Sequence, residues 1–231
     1  MTREELASKI DHTFLKAAGE PDAVHRLCRE AREFRFACAM VNPCEVPLAA
    51  SLLEGSGVRV GTVVGFPLGA NTCAVKVFEA ETAVRDGARE IDFVVNVRRL
   101  KESVADASVR AALLGELKAC NACVKALAKD AVTKLILECC YLTDEEKVLG
   151  CVLAKEAGFD FVKTSTGFGS GGATVHDVEL MRSTVGGSMG VKAAGGIRTL
   201  SDAMEMLKAG ANRLGCSAGV DILRNIANAT I

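Results

Sequence analysis

Among the charged residues inside apolar runs that have the composition of buried β-strands, four are candidates for chemistry. Asp11 begins DHTFL, Asp92 lies within EIDFVVN, Lys163 follows FDFV, and Lys192 lies within GVKAAGG. Any one of them could be half of a buried ion pair, or a lysine whose amine reaches solvent at a strand end. Two lysines and two acids together are harder to explain in this way, because burying charge is costly. We therefore interpret the four residues as a catalytic group.

The chemistry that these residue types support is attack of a lysine amine on a carbonyl group. A lysine with an ordinary pKa of about 10.4 is almost wholly protonated at neutral pH, and the protonated amine cannot attack. Burial and a second ammonium nearby both disfavour the charged form and free the nucleophile. A carboxylate such as Asp92 could then move protons, directly or through water. Spacing alone leaves open whether Lys163 or Lys192 forms the covalent bond.

Three glycine-rich segments predict a phosphate-binding region. TGFGSGGAT, AAGGIR and GCSAG each follow or close one of the last three strand-like runs. Glycines after late barrel strands let backbone N–H groups approach a phosphate. Arg198 and the Ser217 hydroxyl could add further donors. Ordinary turn glycines are the alternative, and GCSAG alone favours that alternative, but three such segments in succession favour a phosphate.

The histidines do not form a pattern typical of a metal site. His12, His25 and His176 are the only three, and no two are close in sequence. An enzyme that uses a metal ion for carbonyl chemistry usually needs a histidine-rich cluster to hold that ion. His12 could touch the site because it is next to Asp11, whereas the other two lie in helical contexts. The scarcity of ligands favours amine catalysis over metal catalysis.

The ten cysteines are interpreted as free thiols of a reducing compartment. Most of them lie within apolar or helical runs, where a free cysteine behaves as a small apolar residue. Cys120 and Cys123 form a single C-x-x-C without a second pair or a nearby histidine. We interpret this pair as part of a helix rather than as a metal or redox site.

Eight strand-like runs must position these residues, and they alternate with helical runs along the whole chain. The runs are KIDHTFL, RFACAMVNP, VRVGTVVGFP, EIDFVVNV, TKLILECC, FDFVKTST, GVKAAGG and NRLGCSA. Such alternation predicts a parallel sheet. Eight repeats fit a closed α/β barrel, the (β/α)8 or TIM barrel, better than a doubly wound sheet. No G-x-G-x-x-G follows the first strand, which argues against a dinucleotide-binding sheet.

We expect one domain over residues 1–231, with active-site residues at the carboxyl ends of the strands. A short extra helix is predicted at residues 2–9. The longest connection, residues 98–132, is predicted to hold one long helix or two. Gly87, Gly158 and Gly210 fall where helix carboxyl ends favour a left-handed residue.

The net charge of −1 offers no electrostatic footprint for nucleic acid or for an anionic membrane surface. No apolar run approaches the roughly 20 residues that a membrane span requires. The start MTREELASKI lacks the apolar core of a signal peptide. We therefore expect a soluble, cytoplasmic protein that acts on small molecules.

The segments IDHTFL, GFPLGANT, EIDFVVN, FVKTSTGFG and VKAAGGIR together resemble the 2-deoxyribose-5-phosphate aldolase family, from about Ile10 to Val220. The resemblance implies a class I aldolase that reversibly cleaves 2-deoxy-D-ribose 5-phosphate to D-glyceraldehyde 3-phosphate and acetaldehyde. It implies that no metal or other cofactor is needed. It also implies a role in deoxyribose phosphate catabolism and a homodimeric state.

The resemblance assigns a role to each candidate residue. Lys163 of VKTSTG would form the Schiff base. Lys192 would lower the pKa of Lys163 and help to transfer protons, and Asp92 would belong to the same proton relay. Asp11 would line the site and position the substrate or its hydroxyls. The other substrate-binding positions, most of them at the phosphate end, are Thr166, Gly167, Gly195, Gly196, Arg198, Gly215 and Ser217.

Four departures from the family pattern concern phosphate affinity and proton transfer rather than reaction type. Phe168 stands where some members have a phosphate-binding lysine, and Met40 stands where cysteine is common. Ala218 replaces a second serine, and the sequence ends at ANATI without a C-terminal tyrosine that some members have. A transaldolase-like enzyme on the same fold and an inactive phosphosugar-binding barrel are the alternatives.

Overall fold

The eight strand-like runs each form one strand, and the strands close into a parallel barrel in sequence order. The computed structural model describes residues 1–228. The strands are β1 (Ile10–Phe14), β2 (Cys38–Val41), β3 (Arg59–Val64), β4 (Glu90–Val94), β5 (Val132–Ile136), β6 (Phe161–Lys163), β7 (Gly190–Ala194) and β8 (Arg213–Cys216). Pairing of β1 with β8 closes the barrel, with Ile10 opposite Leu214. The predicted (β/α)8 barrel is confirmed.

Within residues 1–228, ten helices surround the barrel or cover its ends. They are α1 (Arg3–Ala7), α2 (Ala23–Phe34), α3 (Val46–Leu53), α4 (Cys73–Arg85), α5 (Val97–Glu102), α6 (Ala107–Leu127), α7 (Asp144–Glu156), α8 (Val175–Val185), α9 (Leu200–Lys208) and α10 (Gly219–Arg224). Short 3-10 turns occupy Pro43–Glu45, Cys139–Tyr141 and Asn225–Asn228. The helix expected at residues 2–9 is α1, and α5 and α6 divide the long connection between them.

Local chemistry explains where several helices begin and end. The Thr143 hydroxyl accepts the amide of Glu146, whose carboxylate accepts the amide of Thr143, so α7 begins with a capping box. Gly87, Gly158 and Gly210 have φ of 115°, 81° and 111° at the ends of α4, α7 and α9. Residues other than glycine rarely adopt this backbone conformation, so the three predicted glycine stops are confirmed.

The pairing register brings charged residues of neighbouring strands next to one another inside the barrel. Lys163 of β6 lies opposite Lys192 of β7, and Lys192 lies opposite Arg213 of β8. Asp92 of β4 lies opposite Lys134 of β5. Alternate side chains of each barrel strand point inward, so residues in register meet in the interior. The barrel interior therefore holds a layer of charge within an otherwise apolar core.

All ten cysteines lie within the described residues and are unpaired. Cys120 and Cys123 both lie on α6, where the Cys123 thiol is 3.1 Å from the carbonyl oxygen of Cys120. Burial raises the pKa of the Cys123 thiol to about 11. The helical interpretation of the C-x-x-C is thus confirmed. Across residues 1–228, none of the helices combines the length and the apolar character that crossing a membrane requires.

Candidate active site

Lys163 is the last residue of β6 and its side chain is buried at the carboxyl end of the barrel. Its Nζ lies 2.9 Å from Oδ2 of Asp92. The next residue, Thr164, accepts a hydrogen bond from the amide of Ala194 and donates one to its carbonyl oxygen. These two bonds join the end of β6 to the end of β7. Lys163 is thereby fixed beside Lys192.

Asp92 is completely buried and its carboxylate is shared by three lysines. Lys134 donates to Oδ1 at 2.8 Å, while Lys163 and Lys192 donate to Oδ2 at 2.9 and 2.8 Å. Burial alone would raise the pKa of Asp92, but the three ammonium groups together hold that pKa well below its ordinary value. Asp92 is therefore a carboxylate in the resting site.

The pKa of Lys163 is lowered to about 8, and burial is the largest cause. The negative charge of Asp92 opposes the shift, while the ammonium groups of Lys192 and Lys134 add to it. At pH 7 about one amine in ten is then neutral, compared with about one in three thousand at the ordinary pKa. The geometry therefore supplies the free amine that carbonyl attack requires.

Four further charged groups lie beneath this lysine pair. Lys134 donates to Oε2 of Glu90 at 2.6 Å, and Arg213 bonds to Oε2 of Glu90 at 3.0 Å and to Oδ1 of Asp11 at 2.6 Å. Lys192 donates to the other oxygen of Asp11. We call the complete set the barrel charge cluster. Its members are Asp11, Glu90, Asp92, Lys134, Lys163, Lys192 and Arg213.

Sequence analysis did not name Glu90, Lys134 or Arg213, although the signal that identified the other four was present. Each is a charged residue inside a strand-like run, namely EIDFVVNV, TKLILECC and NRLGCSA. Lys134 is fully buried and Glu90 nearly so. Charge inside a barrel strand needs an explanation. All three residues would have been identified if this rule had been applied to every run.

Asp11 lies lower in the barrel than the sequence led us to expect. It is fully buried, and one carboxylate oxygen contacts Lys192 while the other contacts Arg213. Burial would raise the pKa of Asp11, yet Lys192, Lys134 and Arg213 together lower it. Because cations hold both oxygens, Asp11 is directed at Lys192 and is not among the residues that line the cavity.

A cavity of about 550 Å³ opens at the carboxyl ends of β1, β6, β7 and β8, a size that suits a small sugar phosphate. Lys163 is the member of the barrel charge cluster that lines it. The predicted substrate-binding positions that line it are Thr166, Gly167, Gly195, Gly196, Arg198, Gly215 and Ser217. The cavity thus brings together all of the predicted substrate-binding positions except Asp11.

Glycine allows close backbone approach at this end of the barrel. A Cβ at Gly172 would lie 2.3 Å from the carbonyl oxygen of Gly195, and the amide of Ala173 donates to that same oxygen at 3.0 Å. The loops after β6 and β7 therefore touch backbone to backbone. Gly215 has a different role, because a Cβ there would lie 2.9 Å from Cε of Lys192. Glycine on β8 makes room for that lysine.

Exposed basic side chains add positive charge to the cavity beside Lys163. Arg198 lines it, as do Lys16 after β1 and Arg26 on α2, neither of which sequence analysis named. The amide of Arg198 is already bonded to Asp202, so its guanidinium is the part available to an anion. Lys16 and Arg26 lie in a loop and on a surface helix, where a basic residue carries no distinctive sequence signal.

The positions that depart from the family pattern have simple surroundings. Phe168 is half exposed and packs edge-on against Phe66, with ring centroids 5.2 Å apart. Met40 is fully buried in a small apolar cluster with Cys38 and is not among the cavity residues. Ala218 precedes α10. Of ANATI, residues 229–231 lie outside the described part of the chain.

Glu138 holds the loop that follows Lys163. The amide of Thr166 donates to Oε1 of Glu138 at 3.1 Å, and the Thr166 hydroxyl donates to the other oxygen. Glu138 is buried and has φ of 59°, which is unusual for a residue other than glycine. The loop that carries Thr166 and Gly167 is therefore anchored to the end of β5. No sequence signal separated Glu138 from other acidic residues.

The histidines lie apart from one another. Nε2 of His12 is 2.7 Å from Oε2 of Glu30 at the cavity wall, and His176 pairs with Asp144 on the surface. Within residues 1–228, one group has metal-ligand spacing, formed by Asp11, Cys38 and Glu90. Lysine or arginine side chains already hold both of its carboxylates, and burial raises the pKa of the Cys38 thiol well above its ordinary value. This group therefore fits an ion-pair network better than a metal site.

Comparison with known proteins gives a consistent family. A family model described as DeoC/LacD family aldolase matches residues 6–229. A deoxyribose-phosphate aldolase of Clostridium perfringens is 51% identical over 222 residues, covering 96% of each chain. Another, of Thermoanaerobacter pseudethanolicus, is 54% identical over 217 residues, covering 94% of this chain and 95% of that one.

Solved structures show the same similarity. A tetrameric deoxyribose phosphate aldolase from Aeropyrum pernix superposes with a TM-score of 0.88 at 35% identity. The match covers 98% of this chain and 92% of that one. A protein described as the aldolase QR15 superposes with a TM-score of 0.87 at 38% identity, covering 96% of each chain.

Proposed function

Because the chain belongs to the DeoC/LacD family of aldolases, we propose that it reversibly cleaves 2-deoxy-D-ribose 5-phosphate to D-glyceraldehyde 3-phosphate and acetaldehyde. The observation that carries the proposal is a buried lysine, Lys163, that lines the cavity and whose pKa is lowered to about 8. The names of the relatives support the choice of substrate. The proposed role is breakdown of deoxyribose phosphate.

The first chemical step is formation of an imine on Lys163. The neutral Nζ adds to the C1 aldehyde of the open-chain sugar to give a carbinolamine, which loses water to give a protonated imine. Loss of water requires a proton at the C1 oxygen. Lys192 is the proposed donor, since its Nζ shares Oδ2 of Asp92 with Lys163. Protons can pass between the two amines through that carboxylate.

Cleavage then breaks the C2–C3 bond of the sugar. A base takes the proton of the C3 hydroxyl, C3 becomes the aldehyde carbon of glyceraldehyde 3-phosphate, and the electron pair of the broken bond moves to the imine to give an enamine. Protonation of the enamine at C2 and addition of water to the imine release acetaldehyde and regenerate the amine. Proton delivery by the unit of Asp92 and Lys192 serves these steps as well.

Binding of the phosphate at the other end of the cavity fixes the register of the sugar. The glycine-rich loops after β6 and β7 would let the backbone approach the phosphate closely. Arg198, Lys16 and Arg26 supply positive charge. Anchoring the phosphate there leaves the aldehyde end free to reach Lys163. Holding the phosphate in this way makes the attack of Lys163 on the aldehyde an effectively intramolecular step.

Trapping of the imine tests the proposal. The protein is incubated with acetaldehyde, reduced with borohydride and digested, and the modified peptide is identified by mass. We expect a two-carbon adduct on Lys163 and no adduct at that peptide in Lys163→Leu, with the fold of the variant checked by circular dichroism. Absence of any trapped lysine would contradict the proposal. Product analysis with deoxyribose phosphate and with longer ketose phosphates separates this activity from a transaldolase-like one.

A further inference from the structure

The barrel charge cluster has unequal numbers of acids and bases. Three carboxylates face four basic side chains, and all seven side chains are linked by contacts within 4 Å. With ordinary charges on the other six members, the cluster is electrically balanced only when Lys163 is neutral. An unbalanced charge in a buried site of low dielectric is costly. The composition of the cluster therefore favours the neutral amine.

We propose that Glu90 and Lys134, which do not line the cavity, are positioning residues that set the charge state of Lys163 through Asp92. The inference rests on the proposed function, because it assigns a purpose to the neutral form of Lys163. It concerns two residues that take no part in the proposed Schiff-base chemistry itself.

Competition for Asp92 is the physical link. Its two oxygens accept from three lysines, and Lys134 holds Oδ1 at 2.8 Å. Without Lys134, the charge of Asp92 would be shared by two lysines instead of three. Asp92 would then favour the protonated form of Lys163 more strongly, and the amine would be less often free.

Glu90 acts with the opposite sign. Its Oε2 lies 2.6 Å from Nζ of Lys134, and Arg213 contacts the same oxygen at 3.0 Å. Lys134 therefore divides its charge between two carboxylates. Removing the charge of Glu90 leaves more of that ammonium to compensate Asp92, and one uncompensated positive charge remains in the cluster. Both consequences disfavour protonation of Lys163.

Other titratable groups near the cluster leave this balance unchanged at neutral pH. Burial holds the pKa of the Cys38 thiol on β2 well above its ordinary value, so the thiol is uncharged. Burial also lowers the pKa of His12 on β1, although Glu30 opposes the shift. Glu138, in the loop after β5, is bonded to Thr166 outside the cluster.

The same two residues supply a pair of opposite tests and a control. The variants are Lys134→Met, Glu90→Gln and the double variant that carries both changes. The readout is the rate at which acetaldehyde forms an imine on Lys163, sampled at several pH values and quenched with borohydride at one fixed pH. This rate follows the neutral fraction of the amine and does not require turnover.

We expect Lys134→Met to move the rising limb of this profile up by about one pH unit, with about tenfold less imine formation at pH 7. Glu90→Gln is expected to move it down by about one unit and to raise the rate at pH 7 about fivefold. The double variant removes one charge of each sign, so its limb returns close to that of the unaltered protein. A role in folding alone could not give shifts of opposite sign that cancel.

Shifts of the two single variants in the same direction, or unmoved limbs in variants that retain the native circular dichroism spectrum, would overturn the inference. If Lys134→Met does not fold, Glu90→Gln decides by itself, since its downward shift is required. Lys134→Arg, which keeps the charge, should leave the limb in place. If the unaltered protein traps no imine, the proposed function fails; if it traps one and the limbs do not move, only the role of Glu90 and Lys134 fails.

Discussion

Replacing Lys192 with leucine removes one of the three ammonium groups that share Asp92. Lys192 donates to Oδ2 of Asp92 at 2.8 Å, the same oxygen that Lys163 contacts at 2.9 Å. In the variant this oxygen is left to Lys163 alone, and the repulsion between the two ammonium groups disappears. Both changes stabilise the protonated form of Lys163, so its pKa must rise.

The structure limits the size of this rise. The pKa of Lys163 is lowered from 10.5 to about 8, and burial, the largest cause, remains in the variant. The pKa therefore stays below 10.5, and we expect an increase of about one unit, which is the lower end of what one close charge produces. The neutral fraction at pH 7 would fall from about one in ten to about one in a hundred.

Two measurements separate this electrostatic effect from the proposed proton-transfer role of Lys192. The pH at which imine trapping on Lys163 rises reports the free amine, whereas the height of that profile and the cleavage of deoxyribose phosphate also depend on the proposed proton transfer by Lys192. For Lys192→Leu we expect the rising limb of the trapping profile to move up by about one pH unit. Cleavage of deoxyribose phosphate should be mostly lost. Lys192→Arg is the matched control, because arginine keeps the positive charge and gives up no proton near neutral pH. Its trapping limb should remain in place while turnover falls.

A trapping limb in Lys192→Leu that coincides with that of the unaltered protein would refute the electrostatic reasoning. Wild-type turnover by Lys192→Leu at neutral pH would refute both roles. A collapsed fold would be recognised by circular dichroism and by loss of preferential trapping at Lys163 relative to the other lysines.

Three further predictions concern the phosphate end and the stability of the fold. Arg198→Gln should raise KM for deoxyribose 5-phosphate several-fold and leave KM for unphosphorylated deoxyribose unchanged; equal effects on both sugars would contradict phosphate contact. Gly172→Ala should push the loop away from the carbonyl of Gly195, only 2.3 Å from the new Cβ. We expect a higher KM and a loss of about 1–3 kcal/mol in the free energy of unfolding, measured by denaturant titration. Thr143→Ala removes the cap bond to Glu146 and should cost about 1 kcal/mol, with kcat unchanged.

The order of the elements was determined by the sequence alone. Alternating apolar and helical runs correctly predicted eight strands and the closed barrel. Local signals also placed the glycine stop at Gly158. These features depend on residues close together along the chain, and the periodicity of apolar residues records them directly. The boundary between α5 and α6 was left open, because either one helix or two would satisfy the same pattern.

The candidate site was predicted in part. Lys163, Lys192 and Asp92 were identified because charge inside a barrel strand is rare, and the resemblance to known aldolases distinguished the two lysines. Within that set, however, Asp11 proved to contact Lys192 and Arg213 below the cavity. The height of a side chain in the barrel depends on the register of neighbouring strands, which no single run of sequence specifies.

Only the tertiary structure joined these residues into one electrostatic unit. Lys134 and Glu90 come from different strands and are 44 positions apart in sequence, yet their charged atoms lie 2.6 Å apart. The pKa of Lys163 depends on such distances and on the exclusion of water, both of which arise when the barrel closes. The sequence determined which residues carry charge into the barrel; closure decided how that charge is shared, and therefore why the pKa of Lys163 is lowered.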